Sequence, residues 1–162
     1  MSKTKKILEY ALEMEKKGAS FYKEQANNVK NEEAKKLFEK LADFEQEHVN
    51  YIQKKIEELG KDKAIVFDPE EISEEEFIFE TRKKEELDKQ TKNDLPIIRM
   101  AYLIEKDFHD FYKKASQQVA EKDAKGLFIE LANWEEKHLN YLYKMYQQLM
   151  QEFWFDMGFE PF

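Results

Sequence analysis

Cysteine is absent from this chain of 162 residues. Disulfides, zinc ribbons and four-cysteine iron sites are therefore excluded. Glycine and proline are scarce, at 4 and 3 copies, which leaves few breakers and favours helix over sheet. No apolar run reaches the length of a signal peptide core or a membrane span, so a cytoplasmic location is expected. Positive charge is outnumbered, with 27 Lys and Arg against 35 Asp and Glu and a net charge of −8. That balance argues against nucleic acid or an anionic membrane as a partner.

What the chain does contain is mixed charge on a helical apolar period. Charged residues make up 38%, yet Leu, Ile, Phe and Tyr recur every three or four positions, as in long helices with one solvated face. The length suits one domain with a sizeable core. Helices are expected at 4–29, 32–59, 95–120 and 123–152. Asn31 and Asp94 are candidate N-caps, Gly60 a C-terminal stop, and Pro96 is tolerated in a first turn.

Residues 7–60 lie on residues 97–150 without a gap, and about 20 of the 54 pairs are identical. The matches fall at core spacing, so the chain reads as a duplicated helical hairpin. An all-α four-helix bundle follows, with hairpins at 4–60 and 95–152. The connector, 61–94, is long enough to cross along the bundle. One short helix is expected near 70–90, opened by Pro69, with Ile72, Phe77 and Phe79 giving it some apolar surface. Its acidic run PEEISEEEF reads as a solvated face. A tail at 153–162 carries Phe153, Trp154, Phe155, Phe159 and Phe162. These aromatics are expected to pack on the bundle or across a dimer interface, the alternative being a docking peptide.

One constellation occurs in both halves. Glu15 is followed by Glu45-x-x-His48, and Glu105 by Glu135-x-x-His138, at an offset of 90 residues throughout. Positions three apart on a helix are separated by about 60° and about 4.5 Å of rise, so the Glu and His of each motif can face one ion. All four glutamates fall within the apolar stripes of their helices. Unpartnered buried charges cost several kcal/mol each, and four converging carboxylates repel, whereas two divalent cations balance them. A two-metal site in a bundle core is therefore expected, ligated by Glu15, Glu45, His48, Glu105, Glu135 and His138. Tyr22 and Tyr112 lie two turns beyond Glu15 and Glu105 on the same faces. Their hydroxyls can donate to carboxylates of the facing helices. His109 breaks the repeat, standing where the first half has Ala19. It reads as a polar residue at the interior edge or an interface, with an extra ligand or proton relay as the alternative.

With MEKKGASFYK, LADFEQEHVNYI and both Glu-x-x-His motifs in place, the chain resembles the ferritin-like di-iron carboxylate superfamily, and the rubrerythrin group most. The resemblance covers both hairpins. It implies a non-haem di-iron site on the six residues named, reduction of hydrogen peroxide or dioxygen, and a homodimer. Two departures stand out. Rubrerythrins proper carry a rubredoxin-like domain with a four-cysteine iron site, which has no counterpart here, so a separate electron-donor protein is implied. They also carry a further Glu three residues after the third-helix ligand, where this chain has Phe108. The remaining symmetric set is closer to a bacterioferritin-type ferroxidase centre.

The expected activity is that of a di-iron oxidoreductase, with Glu45 and Glu135 bridging two iron ions and Glu15 and Glu105 as terminal ligands. A non-catalytic iron-buffering bundle and a dimanganese, catalase-like enzyme are the alternatives. Oxygen and imidazole ligands suit iron, manganese or a mixed pair alike.

Overall fold

Four helices carry most of the described residues in the computed structural model, which describes residues 2–79, 93–156 and 158. They are α1 (Lys3–Gln25), α2 (Glu32–Gly60), α3 (Asp94–Gln118) and α4 (Lys122–Asp156). No strand occurs among the described residues, and no helix is long and apolar enough to cross a membrane. The fold is an all-α, ferritin-like four-helix bundle. Helices α1 and α2 pair as one hairpin and α3 and α4 as the other.

Local chemistry sets most of the helix ends. Ser2 Oγ accepts from the Lys5 amide, and Asn31 Oδ1 accepts from the Ala34 amide at 2.9 Å, satisfying orphan donors of the first turns. Asp94 behaves differently from expectation. Asn93 occupies the N-cap position of α3 and makes no side-chain capping bond. The buried Asp94 carboxylate instead accepts from the amides of Lys30 and Asn31, at 2.8 and 2.7 Å. It thus pins the second hairpin to the turn of the first. A charged acceptor is worth about 1.5–3 kcal/mol per bond in such a setting, which outweighs a local cap.

Helix α1 stops at Gln25, short of 29, because residues 26–29 turn to bring the buried Ala26 and Val29 inward. Helix α3 stops at Gln118, where Val119 becomes extended and buried. Helix α4 continues past 152 to Asp156, so the first residues of the aromatic tail are helical. The Phe153 and Trp154 rings meet edge-on. Phe159 and Phe162, and the Phe155 side chain, lie outside the described residues.

Two apolar cores result. One joins Leu8, Ala11, Ile52, Tyr112, Leu127, Phe128 and Leu131. The other joins Ile98, Ala101, Leu142, Tyr22, Leu37, Phe38 and Leu41. Each of these seven residues of the first has its partner, 90 positions away, among those named in the second. A pseudo-twofold axis therefore crosses the bundle between the cores.

The described part of the connector, 61–79, forms no helix. The rest of the expected helix near 70–90 lies outside the described residues. The segment runs between α2 and α4. Phe67 lies against the bare Cα of Gly126, where a Cβ would meet the ring at 2.7 Å. Glu71 bridges Lys54 and Lys55, at 2.7 and 3.0 Å. Phe77 donates its amide to Tyr141 Oη, and the Phe77 and Phe79 rings pack on Tyr141. Buried Ile65 and Ile72 join the first core. Helix formation would turn some of these groups away from the groove, so tertiary contacts override the local preference.

Candidate metal centre

Between the two cores, Glu15, Glu45, His48, Glu105, Glu135 and His138 meet at zero solvent exposure. Each helix contributes one carboxylate, and α2 and α4 each add an imidazole one turn on. Nδ1 of His48 lies 3.1 Å from Glu135, 3.5 Å from Glu15 and 3.7 Å from Glu45. Nδ1 of His138 lies 3.1 Å from Glu45, 3.3 Å from Glu135 and 3.6 Å from Glu105. The imidazoles stack with centroids 5.7 Å apart.

Two ligand sets emerge. Glu15, Glu45, His48 and Glu135 offer donor atoms within 4.8 Å of one another, as do Glu45, Glu105, Glu135 and His138. Glu45 and Glu135 belong to both sets, while Glu15 and Glu105 belong to one each. Each of the four carboxylates also buries one oxygen, Oε2, without a hydrogen-bond partner. Orphaned buried acceptors are costly. Three oxygens and one nitrogen per set, with spare lone pairs aimed inward, fit a pair of divalent cations.

The tyrosines cross between hairpins. Tyr22 Oη donates to Glu105 and Tyr112 Oη donates to Glu15, both at 2.6 Å. Burial, then the neighbouring carboxylates, push both phenols well above their usual range, so they remain donors. His109 is not part of the cluster. It is partly exposed and pairs with Asp110 at 3.1 Å. Phe108, at the position where rubrerythrins proper have a further Glu, packs against Gly18 on the α1–α3 face.

One residue of the site escaped the sequence reading. Glu74, from the acidic run of the connector, is not on a solvated face, for its side chain is only 2% exposed. Its Oε2 lies 2.7 Å from His138 Nε2 in a hydrogen bond. Its Oε1 lies 2.8 Å from His48 Nε2, without hydrogen-bond alignment. The only sequence signal is its place two residues after the buried Ile72, on the same side of an extended segment.

Electrostatics divides the carboxylates. Burial and the charges of Glu15 and Glu105 raise Glu45 well above the usual carboxylate range. Burial, Glu105 and Glu45 do the same to Glu135. Burial opposes ionisation of Glu15 as well, but hydrogen bonding to Glu45 and the charge of His48 bring it down to about 2. Glu105 is likewise lowered against burial, by Glu135 and His138. Glu74 falls to about 2 against burial, through its contacts with both histidines. Burial disfavours the imidazolium forms, yet Glu15 and Glu105 raise His48 and His138 well above normal. Without metal these shifts favour protons on Glu45, Glu135 and both histidines, shared with the lowered carboxylates beside them.

The rubrerythrin family model matches residues 6–149. Among solved structures, a hypothetical protein from Pyrococcus furiosus is similar over 91% of this chain and 90% of its own, with 26% identity and a TM-score of 0.68. No curated protein matches the chain.

Proposed function

The chain belongs to the rubrerythrin family, and we propose that it is a di-iron oxidoreductase reducing hydrogen peroxide or dioxygen with electrons from a separate donor protein. The observation that supports this reading is the pair of overlapping ligand sets sharing Glu45 and Glu135, all fully buried in the bundle core. Two irons held there would supply two electrons to an oxidant. The chain's own residues provide the rest. Glu15 and Glu105 are held ionised, with one oxygen of each fixed by a tyrosine of the other hairpin. Glu45 and Glu135, common to both ligand sets, would give up their protons to hold the ions. The histidines present Nδ1 to the four glutamates. The two apolar cores exclude bulk water from either side, which strengthens every charge interaction between them.

Metal content of the protein as isolated, followed by peroxide and dioxygen consumption, tests the proposal. Two irons per chain and turnover that requires an added reductant are expected. Stoichiometric uptake without turnover would replace the enzyme with an iron buffer. Two manganese ions with dismutation of peroxide in the absence of reductant would replace it with a catalase-like reaction.

A further inference from the structure

Glu74 belongs to neither hairpin and to neither ligand set, yet it touches both halves of the centre. We propose that it is a positioning residue whose single carboxylate sets the tautomer of both histidines and so keeps both metal positions competent. The inference rests on the metal-centre reading above. It draws on three observations. The two oxygens are divided between the two rings, Oε2 in a hydrogen bond with His138 Nε2 at 2.7 Å and Oε1 at 2.8 Å from His48 Nε2, close enough that a small rotation of the ring aligns the same bond. Nδ1 of each ring faces the four glutamates instead. The connector is tied down on both sides of Glu74, by Glu71 to Lys54 and Lys55, by Glu75 to Lys40, and by the Phe77 amide to Tyr141.

The chemistry follows from hydrogen-bond inventory. An imidazole can ligate through Nδ1 only if its ring proton sits on Nε2. A carboxylate has acceptors alone, so an ionised Glu74 admits only Nε2–H on each ring. Outer carboxylates of this kind orient metal-bound imidazole and raise its basicity. Here one group serves two rings. His48 and His138 are equivalent by the pseudo-twofold relation, and a carboxylate is itself twofold symmetric. Placed between the rings, it gives both the same instruction.

An amide breaks that equivalence. In Glu74→Gln the side chain keeps its shape but offers one acceptor and one donor. The ring facing the amide N–H must present a bare Nε2, which moves its proton to Nδ1 and closes that metal position. Zn(II) titrated into metal-free protein, with histidine side-chain ¹⁵N NMR of the loaded form, reads both effects. Wild-type protein should bind two Zn(II), with both rings protonated at Nε2. Glu74→Gln should bind one tightly and the second about 10–100-fold more weakly, with one ring no longer protonated at Nε2. Glu74→Ala, which leaves both Nε2 atoms to water, should weaken the two positions alike. Glu76→Gln, at an exposed neighbour that makes none of the contacts holding the connector, should match wild type. Two equal sites of wild-type affinity in Glu74→Gln, with both rings protonated at Nε2, would overturn the role of Glu74 alone. Wild-type protein that takes up no Zn(II) and no Fe(II) would overturn the metal centre and this role together.

Discussion

The two hairpins are nearly interchangeable at the centre and differ around it. All three ligands and the tyrosine of each half recur at one offset, as do Leu37, Phe38 and Leu41 with Leu127, Phe128 and Leu131. The differences have two sources. Where the halves face each other across the axis, they differ by complementarity. Gly18 and Phe108 are equivalent positions, and the Phe108 ring fills the space that Gly18 leaves. Where the described part of the connector lies, they differ because it contacts different positions in the two halves. Lys55 is buried against the Val66 carbonyl and Glu71, while its equivalent, Met145, lies in the second core. Gly126 admits Phe67, while its equivalent is Lys36. A duplicated chain can therefore keep its chemistry symmetric while its packing is not.

The largest effect should come from separating shared from unshared carboxylates. Glu45→Ala or Glu135→Ala removes a ligand from both sets and should abolish two-metal binding and turnover. Glu15→Ala or Glu105→Ala removes one from a single set and should leave one metal per chain. Metal analysis of the four variants decides it. Equal losses in all four would mean that the halves do not act as two positions.

Next comes the Gly18–Phe108 pair. Phe108→Ala should cost about 3–5 kcal/mol by opening a cavity. Gly18→Ala should cost about 1–3 kcal/mol, because its Cβ would meet the Phe108 ring at 2.9 Å. The exchanged variant, Gly18→Phe with Phe108→Gly, should recover much of the loss if the pseudo-axis is real. Denaturant unfolding of the single and double variants measures this. Costs that simply add would remove complementarity as the reason for the difference.

A smaller effect should distinguish the centre with and without metal. Glu45, Glu135, His48 and His138 have raised folded-state values. Their contribution is complete below the unfolded values and is lost as pH rises towards the folded ones. Glu15, Glu105 and Glu74 are lowered, so theirs is present above the unfolded value and lost in acid. Metal-free protein should thus melt a few degrees lower at about pH 8 than at about pH 5. The loaded protein should show the reverse, because protons compete with metal. Uptake should also release up to four protons, one from each of the four raised groups. A metal-free melting temperature independent of pH over that range would contradict the shared-proton cluster.

Much of this is legible in the amino-acid sequence. Helical period, scarce breakers and the repeat sufficed for four helices and for the grouping of the six residues. A charged residue inside an apolar stripe is conspicuous, and its recurrence at one offset more so. Counting turns also places Tyr22 and Tyr112 within reach of carboxylates on facing helices, but that these belong to the other hairpin is a tertiary fact. Glu74 was hidden for the opposite reason. It stands among acidic neighbours of which Glu70, Glu75 and Glu76 are exposed, and nothing in composition separates it from them. Asp94 looked like a local cap because capping is a short-range pattern, whereas its actual donors are 63 and 64 residues away.

The sequence by itself determined the duplicated bundle and the residues meeting at its centre, because helical periodicity converts spacing directly into direction. Only the tertiary structure decided how the two halves fit and what covers the centre. The crossover has no period of its own, and its path, the burial of Glu74 and the seating of Phe67 on Gly126 depend on a groove that exists once both hairpins have packed.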